Sequence, residues 1–306
     1  MSECARRVEH ECGLWVDRFP ARTRGRPSIL THYHADHVRG LSARWGGTLV
    51  CSELTAAQVH AAWPELDVRW LPVDDGEWHA LEESDGTEVS LVSCDHVVGS
   101  VCVCLRKGRR RYLHSGDLVV NDHWLREVAG PLFTRLGMRR PDALFLDNTF
   151  DDAELGDMPD WDETAAALAR FLDDHEGEAV HVVDHASVAS SFMHEYRVPF
   201  HMSRAKRAQP SGAVLPHTAG AQVRVYARGD RVPRGGVRLT MSSLWFTCRR
   251  DADRTRAVWD LGGDTWRICL ATHSDRRRLA QLTAWLNPRE TVECATVRAG
   301  SCPRLR

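Results

Sequence analysis

Three histidines and one aspartate lie close together near the start of the chain, in the segment Thr31-His32-Tyr33-His34-Ala35-Asp36-His37. An apolar run precedes the segment and predicts a short strand that leads into it. Histidines two residues apart on extended backbone project to the same side, so His32 and His34 can bind one ion. The chain then turns, and Asp36 and His37 can face a neighbouring ion. Imidazole and carboxylate groups together suit zinc or manganese. The alternative is a surface loop that is histidine-rich by chance, but such a loop need not follow a strand.

One cluster cannot complete the coordination of two ions, so further ligands are expected where other strands end. The candidates follow predicted strands and are His96, Asp117, Asp147 and His273. Catalytic groups usually lie on such loops, because a rigid sheet holds them in place. Taken one at a time, the aspartates could be turn or cap residues and the histidines could be satisfied polar residues. Their order and context carry the prediction.

The first half of the sequence predicts short strands around one helix. Strands are expected at residues 13–17, 28–31, 89–92, 101–105, 111–114 and 143–146. Lys107-Gly108 predicts a hairpin turn between two of them. Residues 52–63 begin with Ser and Glu before an apolar-periodic run and end before Pro64, which is the pattern of a capped helix.

The second half alternates helices with strands. Helices are expected at residues 160–174, 188–196 and 275–286, and strands at residues 180–183 and 266–271. This order predicts an α/β sandwich with a smaller α/β insertion. We expect the core to comprise residues 1–159 and 263–306, and the insertion to comprise residues 160–262.

Composition narrows the class of protein. The chain has 306 residues, of which 43% are hydrophobic and 27% charged, enough for one large or two modest domains. Its formal net charge of −2 argues against a uniformly basic protein that coats nucleic acid. A polyanionic partner would therefore meet local basic patches or metal ions.

The ten cysteines show no repeated CxxC framework, and Cys102 and Cys104 alternate within an apolar run. We expect them to be buried small hydrophobic residues in a reducing compartment. The N-terminal segment has no apolar signal region, and no apolar run approaches the ~18 residues of a membrane span. An intracellular protein with no membrane partner is expected.

Several motifs together resemble the β-CASP nucleases of DNA cross-link repair and end processing, the Artemis and Apollo type. The resemblance runs from about residue 13 to residue 297. The histidine cluster alone marks the metallo-β-lactamase superfamily, and the last two motifs mark this branch. The motifs, in chain order, are Val16-Asp17-Arg18-Phe19, residues 30–41, residues 95–100, Ser115-Gly116-Asp117-Leu118, Leu146-Asp147-Asn148-Thr149-Phe150 and Thr272-His273-Ser274.

The resemblance implies an αββα metallo-β-lactamase sandwich with an inserted small α/β β-CASP domain. It implies that one ion is bound by His32, His34, His96 and Asp117, and that Asp117 bridges to a second ion bound by Asp36 and His37. Asp147 and His273 match the first two β-CASP motifs, which are paired near the scissile phosphate. Val297 is the expected occupant of the third motif.

The chemistry that follows from this set is phosphodiester hydrolysis. Two ions that share a water lower its pKa and offset charge on the phosphate, and Asp36 and Asp117 take part in holding them. His273, if oriented by Asp147, is suited to donate a proton to the leaving oxygen. Asp17 is expected to orient a metal-binding histidine.

The sequence departs from the family pattern in the loop around His96 and at positions that would contact the end of a substrate strand. The family's Asn-His-Cys-Pro-Gly is Asp95-His96-Val97-Val98-Gly99 here, and its Ser-Ser after the late histidine is Ser274-Asp275. Its Gly-Lys loop appears as residues 185–190, which lack the lysine but contain Ser187. The candidate substrate contacts are Ser187, Ser274, Arg276, Arg277 and Arg278, although the three arginines also fit a solvated helix face.

We therefore expect a metal-dependent DNA phosphodiesterase, a 5′-to-3′ exonuclease of DNA repair or end processing. Zinc is the expected cofactor, with one tight and one weaker ion, and manganese or magnesium is an alternative at the second site. Single- or double-stranded DNA is the expected partner of a monomer, which would be nuclear in a eukaryote. The alternatives are an RNA-cleaving β-CASP ribonuclease, a small-molecule hydrolase of the superfamily and a non-catalytic nucleic-acid-binding scaffold. The absence of histidine after residue 291 favours DNA over RNA.

Overall fold

The first part of the chain forms a small parallel sheet. The computed structural model describes residues 3–23, 25–151, 157–243 and 257–294. Four strands pair in the order β1-β2-β3-β4, all parallel. The elements are α1 (Glu3–Cys12), β1 (Trp15–Val16), β2 (Ser28–Ile29), β3 (Leu49–Ser52), α2 (Glu53–Ala62) and β4 (Val68–Leu71).

A six-stranded mixed sheet follows, in the order β16-β9-β8-β7-β6-β5. The strands β5 to β8 pair antiparallel, whereas β8, β9 and β16 are parallel. The strands are β5 (His79–Ala80), β6 (Thr87–Ser93), β7 (Val101–Lys107), β8 (Arg110–His114), β9 (Ala143–Leu146) and β16 (Thr291–Glu293). The helices that accompany this sheet are a 3-10 turn (Glu82–Ser84), a π-helix (Trp124–Ala129), α3 (Gly130–Arg135) and α7 (Arg276–Leu286).

These two sheets pack face to face between helical layers. Ile29 and Val50 of the first sheet share one buried cluster with Val103 of β7. The intervening residues Cys102 and Cys104 point to the opposite face of the sheet, because side chains alternate along a strand.

Helices cover the outer faces of the sandwich. Phe133 of α3 and Leu282 of α7 pack in the cluster that contains Cys102 and Cys104. Val59 of α2 packs against the outer face of the four-stranded sheet. The layers are therefore helix, sheet, sheet, helix, which confirms the expected αββα sandwich.

A third sheet lies in the region of the expected insertion. Its order is β11-β12-β10-β13-β15-β14, and all its pairs are parallel except β14 with β15. The elements are α4 (Trp161–Asp174), β10 (Val180–Val183), α5 (Val188–Glu195), β11 (Phe200–Met202), α6 (Arg204–Arg207), a 3-10 turn (Pro210–Ala213), β12 (Val223–Tyr226), β13 (Val237–Met241), β14 (Val258–Asp260) and β15 (Thr265–Ile268). Because β15 belongs to this sheet, the sheet extends beyond the expected boundary at residue 262.

Among the described residues, local signals predicted four of the seven α-helices and eight of the sixteen strands. Ser52 caps α2, and Asp160 and Glu163 form the capping box of α4. The helix α1 was not predicted, because its residues are mostly polar. The π-helix and α3 were also missed, since Gly130 and Pro131 within that segment argue against a helix.

One expectation about cysteine was wrong for two residues. Cys12, Cys51, Cys94, Cys102, Cys104 and Cys269 are free and buried, as expected. Cys4 and Cys294, by contrast, form a disulfide. They are 290 residues apart, and only the packing of α1 beside the end of β16 brings them together.

Across the described residues, none of the helices combines the length and the apolar character that a membrane span requires.

A buried ion pair stabilises the third sheet next to α5. The Lys206 ammonium is fully buried, lies 2.9 Å from an Asp184 carboxylate oxygen and donates to Ser187 Oγ and Gln209 Oε1. Asp184 in turn accepts hydrogen bonds from Ser190. All three ammonium protons thus have acceptors, which is the condition for burying a charge.

Replacement of Lys206 by alanine should leave the Asp184 charge buried without its partner. We expect Lys206→Ala to lower the free energy of unfolding by about 3–5 kcal/mol. The exposed neighbour provides a control, since Arg207→Ala should change it by less than about 0.5 kcal/mol. Urea unfolding followed by circular dichroism measures both. Equal stabilities of the two variants would contradict the structural role of the pair.

Candidate active site

The predicted metal-binding residues converge at one end of the sandwich. His32 follows β2, His96 follows β6, Asp117 follows β8 and Asp147 follows β9. His273 reaches the same place from the segment that links β15 to α7. The sheets hold the strand ends together, so the side chains meet although they are far apart in sequence.

Three histidines direct unprotonated nitrogens at one another. The Thr31 hydroxyl donates to Asp17, so its oxygen accepts the Nδ1–H of His32. The Nδ1 of His96 donates to the Thr272 carbonyl. In the same way, the Nε2 of His34 donates to the Ala186 carbonyl, at 2.9 Å. Each ring therefore keeps a lone pair on its other nitrogen.

These lone pairs meet at short range. His34 Nδ1 lies 3.1 Å from His32 Nε2 and 3.0 Å from His96 Nε2. Asp117 Oδ2 lies 3.7 Å from His32 Nε2 and 3.6 Å from His96 Nε2. Ligand atoms around a tetrahedral zinc are roughly 3.3–3.4 Å apart, given bonds of ~2.0–2.1 Å. The donor set and its spacing therefore fit a zinc-like ion.

Asp36 and His37 form a second group beside Asp117. His37 Nε2 is 3.2 Å from Asp117 Oδ2 and 3.7 Å from Asp36 Oδ2. The Asp36 carboxylate is largely exposed, and both residues line a cleft whose wall also includes Asp117, Asp147 and His273. The group has fewer protein ligands than the first, and Asp117 is common to both.

A carboxylate and an imidazole form a separate pair beside the metal-binding residues. His273 Nδ1 lies 2.7 Å from the buried Asp147 carboxylate and 4.0 Å from Asp117. Asp147 also accepts hydrogen bonds from the backbone and hydroxyl of Thr149. Asp147 therefore holds the Nδ1–H of His273 and directs Nε2 away from the pair.

The charges of the site separate its histidines into two kinds. Burial and the neighbouring imidazoles hold the pKa values of His32 and His96 well below the usual range, so both stay neutral and can bind metal. Burial also opposes the charged form of His273. There, however, Asp147 outweighs burial and raises the pKa to about 9.

The carboxylates in the site favour a cation. Burial alone would raise the pKa of Asp117, but the surrounding histidines outweigh it and hold that pKa well below its usual range. Burial likewise disfavours a charged His37, yet Asp17 and Asp117 raise its pKa to about 11. A bound metal ion would supply the positive charge that the proton on His37 otherwise provides.

Residues with strained backbone accept hydrogen bonds from two of the histidines. Asp17, Ala186 and Ser187 have φ values of +50°, +53° and +64°, in the left-handed region that non-glycine residues rarely adopt. Asp17 accepts hydrogen bonds from His37 and from Thr31, and the Ala186 carbonyl accepts the one from His34. Strain of this kind, about 1–3 kcal/mol per residue, typically occurs at functional sites.

Three of the predicted substrate contacts do not reach the cleft surface. Ser274 is buried and bonds to Leu118 and Val120. Ser187 is buried beside Lys206 and Ser211. The guanidinium of Arg278 is buried between Asp160 and Asp122.

The remaining two arginines are exposed, and the departure at Asp275 has a local cause. Arg276 lies 3.6 Å from Asp151, and Arg277 lies 3.3 Å from Asp157. Asp275 is the N-cap of α7 and accepts from the backbone N–H of Arg278 and of Met158. Its carboxylate therefore caps the helix and is not directed at a substrate phosphate.

Two arginines that are not among the predicted site residues also line the cleft. Arg18 and Arg39 lie in its wall with Asp36, His37 and Asp117. Each follows a metal-site residue by one or two positions, Asp17 and His37 respectively, and this spacing was the available signal. Val297, the expected third-motif residue, lies outside the described residues.

The Asp95 carboxylate, next to His96, faces away from the metal-binding residues. It accepts a hydrogen bond from Asn121 at 2.6 Å. Burial, together with nearby carboxylates such as Glu195, raises its pKa to about 7. The change from Asn to Asp at this position therefore leaves the donor set intact.

Comparison with known proteins agrees with this geometry. The model of the metallo-β-lactamase superfamily matches residues 29–181. The 5′ exonuclease Apollo of Gallus gallus is 33% identical over 163 residues, which are 52% of this chain and 34% of that protein. Protein artemis of Gallus gallus is 22% identical over 94% of this chain and 47% of its own length. The expected resemblance to nucleases of the Artemis and Apollo type is confirmed.

Similarity of fold extends further than similarity of sequence. The crystal structure of a protein of unknown function from Enterococcus faecalis V583 superposes with a TM-score of 0.59. It covers 88% of this chain and 75% of that one at 11% identity, so it supports the fold alone. The chain spans about a third of the Apollo protein and about half of protein artemis.

The unequal ligand sets predict unequal metal affinities. Reconstitution with zinc should load about two ions per chain, and mild chelation should leave one, because the first set has four protein ligands. His96→Ala should lose the retained ion, whereas His79→Ala, which alters a surface histidine paired with Asp75, should keep it. Elemental analysis of the chelated proteins measures this. Two equally retained ions, or none, would contradict the assignment.

Proposed function

We propose that this chain, which belongs to the metallo-β-lactamase superfamily, is a metal-dependent DNA phosphodiesterase. The observation that carries the proposal is that two sets of residues lie together in one cleft. The first is the set of three histidine lone pairs with Asp117, and the second is the Asp147–His273 pair. Metal binding needs only the three histidines and Asp117, while protonation of a leaving alkoxide needs the Asp147–His273 pair.

Different residues would bind the metal ions and donate the proton in phosphodiester cleavage. His32, His34, His96 and Asp117 would hold one ion, and Asp36, His37 and Asp117 a second. When bound, the ions supply positive charge that offsets the charge developing on the phosphate oxygens. His273 carries a proton near neutral pH and donates it from Nε2 to the leaving oxygen. Asp147 keeps the ring in the orientation and tautomer that this transfer requires.

Several features support DNA as the substrate. The similar proteins are named as a 5′ exonuclease and as protein artemis. Arg18 and Arg39 lie in the cleft wall, where a phosphate backbone would contact them. We therefore propose exonuclease action from a 5′ end in DNA repair or end processing, with zinc as the tight ion and the third sheet as a β-CASP domain.

The rival functions differ in what they require of the site. A small-molecule hydrolase of the superfamily would not need the Asp147–His273 pair. A non-catalytic scaffold would not need a complete set of metal ligands beside it. An RNA-cleaving β-CASP enzyme would use the same groups, so it is the rival that only a substrate comparison can separate.

The proposed proton donor predicts a specific loss of activity. We expect His273→Ala and Asp147→Asn each to reduce kcat by ~10²–10⁴-fold while the tight ion remains bound. Turnover of a labelled DNA strand and elemental analysis of the same samples test this. If His273→Ala instead loses the ion and regains cleavage when metal is restored, His273 is a ligand and not a proton donor.

The pH dependence provides an independent measurement of the same role. A donor must be protonated, and the raised pKa of about 9 keeps His273 protonated below that pH. The rate should therefore fall as pH rises through about 9. Asp147→Asn removes the negative charge that raises this pKa, so the residual activity should begin to fall at a lower pH. An unchanged alkaline limb would oppose the assignment.

We also predict that DNA is cleaved faster than RNA of the same length and sequence. Both substrates present the same phosphodiester, so the preference rests on the third-motif position, where RNA-cleaving relatives carry histidine and this sequence has Val297. End-labelled strands should be compared at one ionic strength, because phosphate contacts are salt-dependent. RNA cleavage at an equal or higher rate would overturn the preference but not the metal-dependent phosphodiesterase assignment.

A further inference from the structure

Two cysteines from opposite ends of the chain meet in the wall of the catalytic cleft. Cys4 lies in α1 and Cys294 follows β16, and their Cα atoms are 5.4 Å apart in the disulfide. Both line the same cleft as Asp117, Asp147 and His273. The free cysteines among the described residues are all buried. Cys4 is buried as well, whereas Cys294 is half-buried.

The disulfide fastens α1 to a strand end that carries a catalytic carboxylate. The Cys294 N–H donates to the Leu146 carbonyl at 2.9 Å, and Asp147 is the next residue. β16 pairs with β9 through Glu293 and Leu146. One hydrogen bond therefore links Cys294 to the backbone next to Asp147.

His114 is placed to act on the two sulfur atoms. Its Nδ1 accepts the Gly116 N–H at 3.1 Å, so the neutral ring carries its proton on Nε2. That Nε2 lies 3.7 Å from the Cys4 sulfur and 4.0 Å from the Cys294 sulfur. An N–H donor beside a sulfur stabilises a thiolate, which is the reactive form of cysteine.

The same hydrogen bond argues against a third metal ion here. Two cysteines and one histidine form a ligand set that zinc accepts, and their ligand atoms lie close enough together. A metal ion would need the lone pair of His114 Nε2, and that nitrogen carries the proton while Nδ1 is engaged by Gly116. The cluster is thus arranged for thiol chemistry.

We propose that Cys4 and Cys294 form a reversible thiol–disulfide site that exchanges with a small disulfide such as oxidised glutathione. In the reduced protein the Cys294 thiolate, the more accessible of the two, attacks one glutathione sulfur. One S–S bond forms and one breaks, and the released glutathione thiolate takes up the proton lost by Cys294. The Cys4 thiolate then attacks the Cys294 sulfur, forms the intramolecular bond and releases the second glutathione.

Oxidation and reduction of Cys4 and Cys294 should change the thermal stability of the protein. The bond closes a loop of nearly the whole chain, so it restricts the unfolded state strongly. Disulfides that occur in reducing compartments are typically transient or redox-sensing. The oxidised form should therefore be the more heat-stable one, and the site responds to the glutathione ratio around it.

The test equilibrates the full chain in buffers of varied glutathione ratio, blocks free thiols by alkylation and analyses proteolytic peptides by mass spectrometry. We expect a linked peptide pair that contains Cys4 and Cys294, with a midpoint within the range of the buffers. The oxidised protein should melt about 5–10 °C above the reduced protein. Cys4→Ser and Cys294→Ser should each remove this difference, whereas Cys51→Ser, at a buried free cysteine, should retain it.

A further variant examines His114. Loss of the N–H donor in His114→Phe should raise the thiol pKa and slow the reaction of Cys294 with oxidised glutathione about threefold or more, since reduced thiolate content is only partly offset by higher nucleophilicity. Complete alkylation of both cysteines at every ratio would overturn the proposal, and this result requires no variant to fold. Loss of one zinc equivalent in Cys294→Ser would also overturn it, in favour of a metal site.

Discussion

Three imidazole lone pairs that converge on one point are the constraint on which the rest of the structure depends. The unprotonated Nδ1 of His34 lies 3.1 Å from His32 Nε2 and 3.0 Å from His96 Nε2, with Asp117 beside them. Lone pairs directed at one another repel, and the burial of His32 and His96 keeps water from separating them. The fold must therefore hold the rings against this repulsion. The ends of β2 and β6 and the backbone carbonyls of Thr272 and Ala186 provide that hold.

The two halves of the chain share this task. The Ala186 carbonyl belongs to the loop between β10 and α5 of the third sheet, yet it orients His34 of the sandwich. That loop adopts left-handed backbone at two successive non-glycine residues, Ala186 and Ser187. The buried ammonium of Lys206 bonds to Ser187 and pairs with Asp184, which accepts from the backbone N–H groups at the start of α5. The buried Lys206–Asp184 pair thus stabilises the strained loop that orients His34.

The positions of the carboxylates decide what each histidine does. His32 and His96 are buried among imidazoles and stay neutral, while His273 faces Asp147 and keeps its proton to about pH 9. Under the proposed function, similar side chains would therefore act as metal ligands or as a proton donor according to the charge beside them. Asp117 lies between the two groups, 3.6 Å from His96 and 4.0 Å from His273. A shift of the Asp147 backbone would change this division, which is why the neighbouring Cys294 matters.

The sequence by itself determined the features that depend on residues a few positions apart. The spacing of His32 and His34, the Ser52 cap of α2, the hairpin at Gly108 and the order of the motifs are all local, and periodicity and capping report them. The tertiary structure alone decided which distant groups meet. It buried Ser274 and Arg278 instead of exposing them to substrate, set Lys206 beneath Ser187, and joined Cys4 to Cys294. These contacts depend on strand order and register, which arise only when segments far apart in the chain pack together.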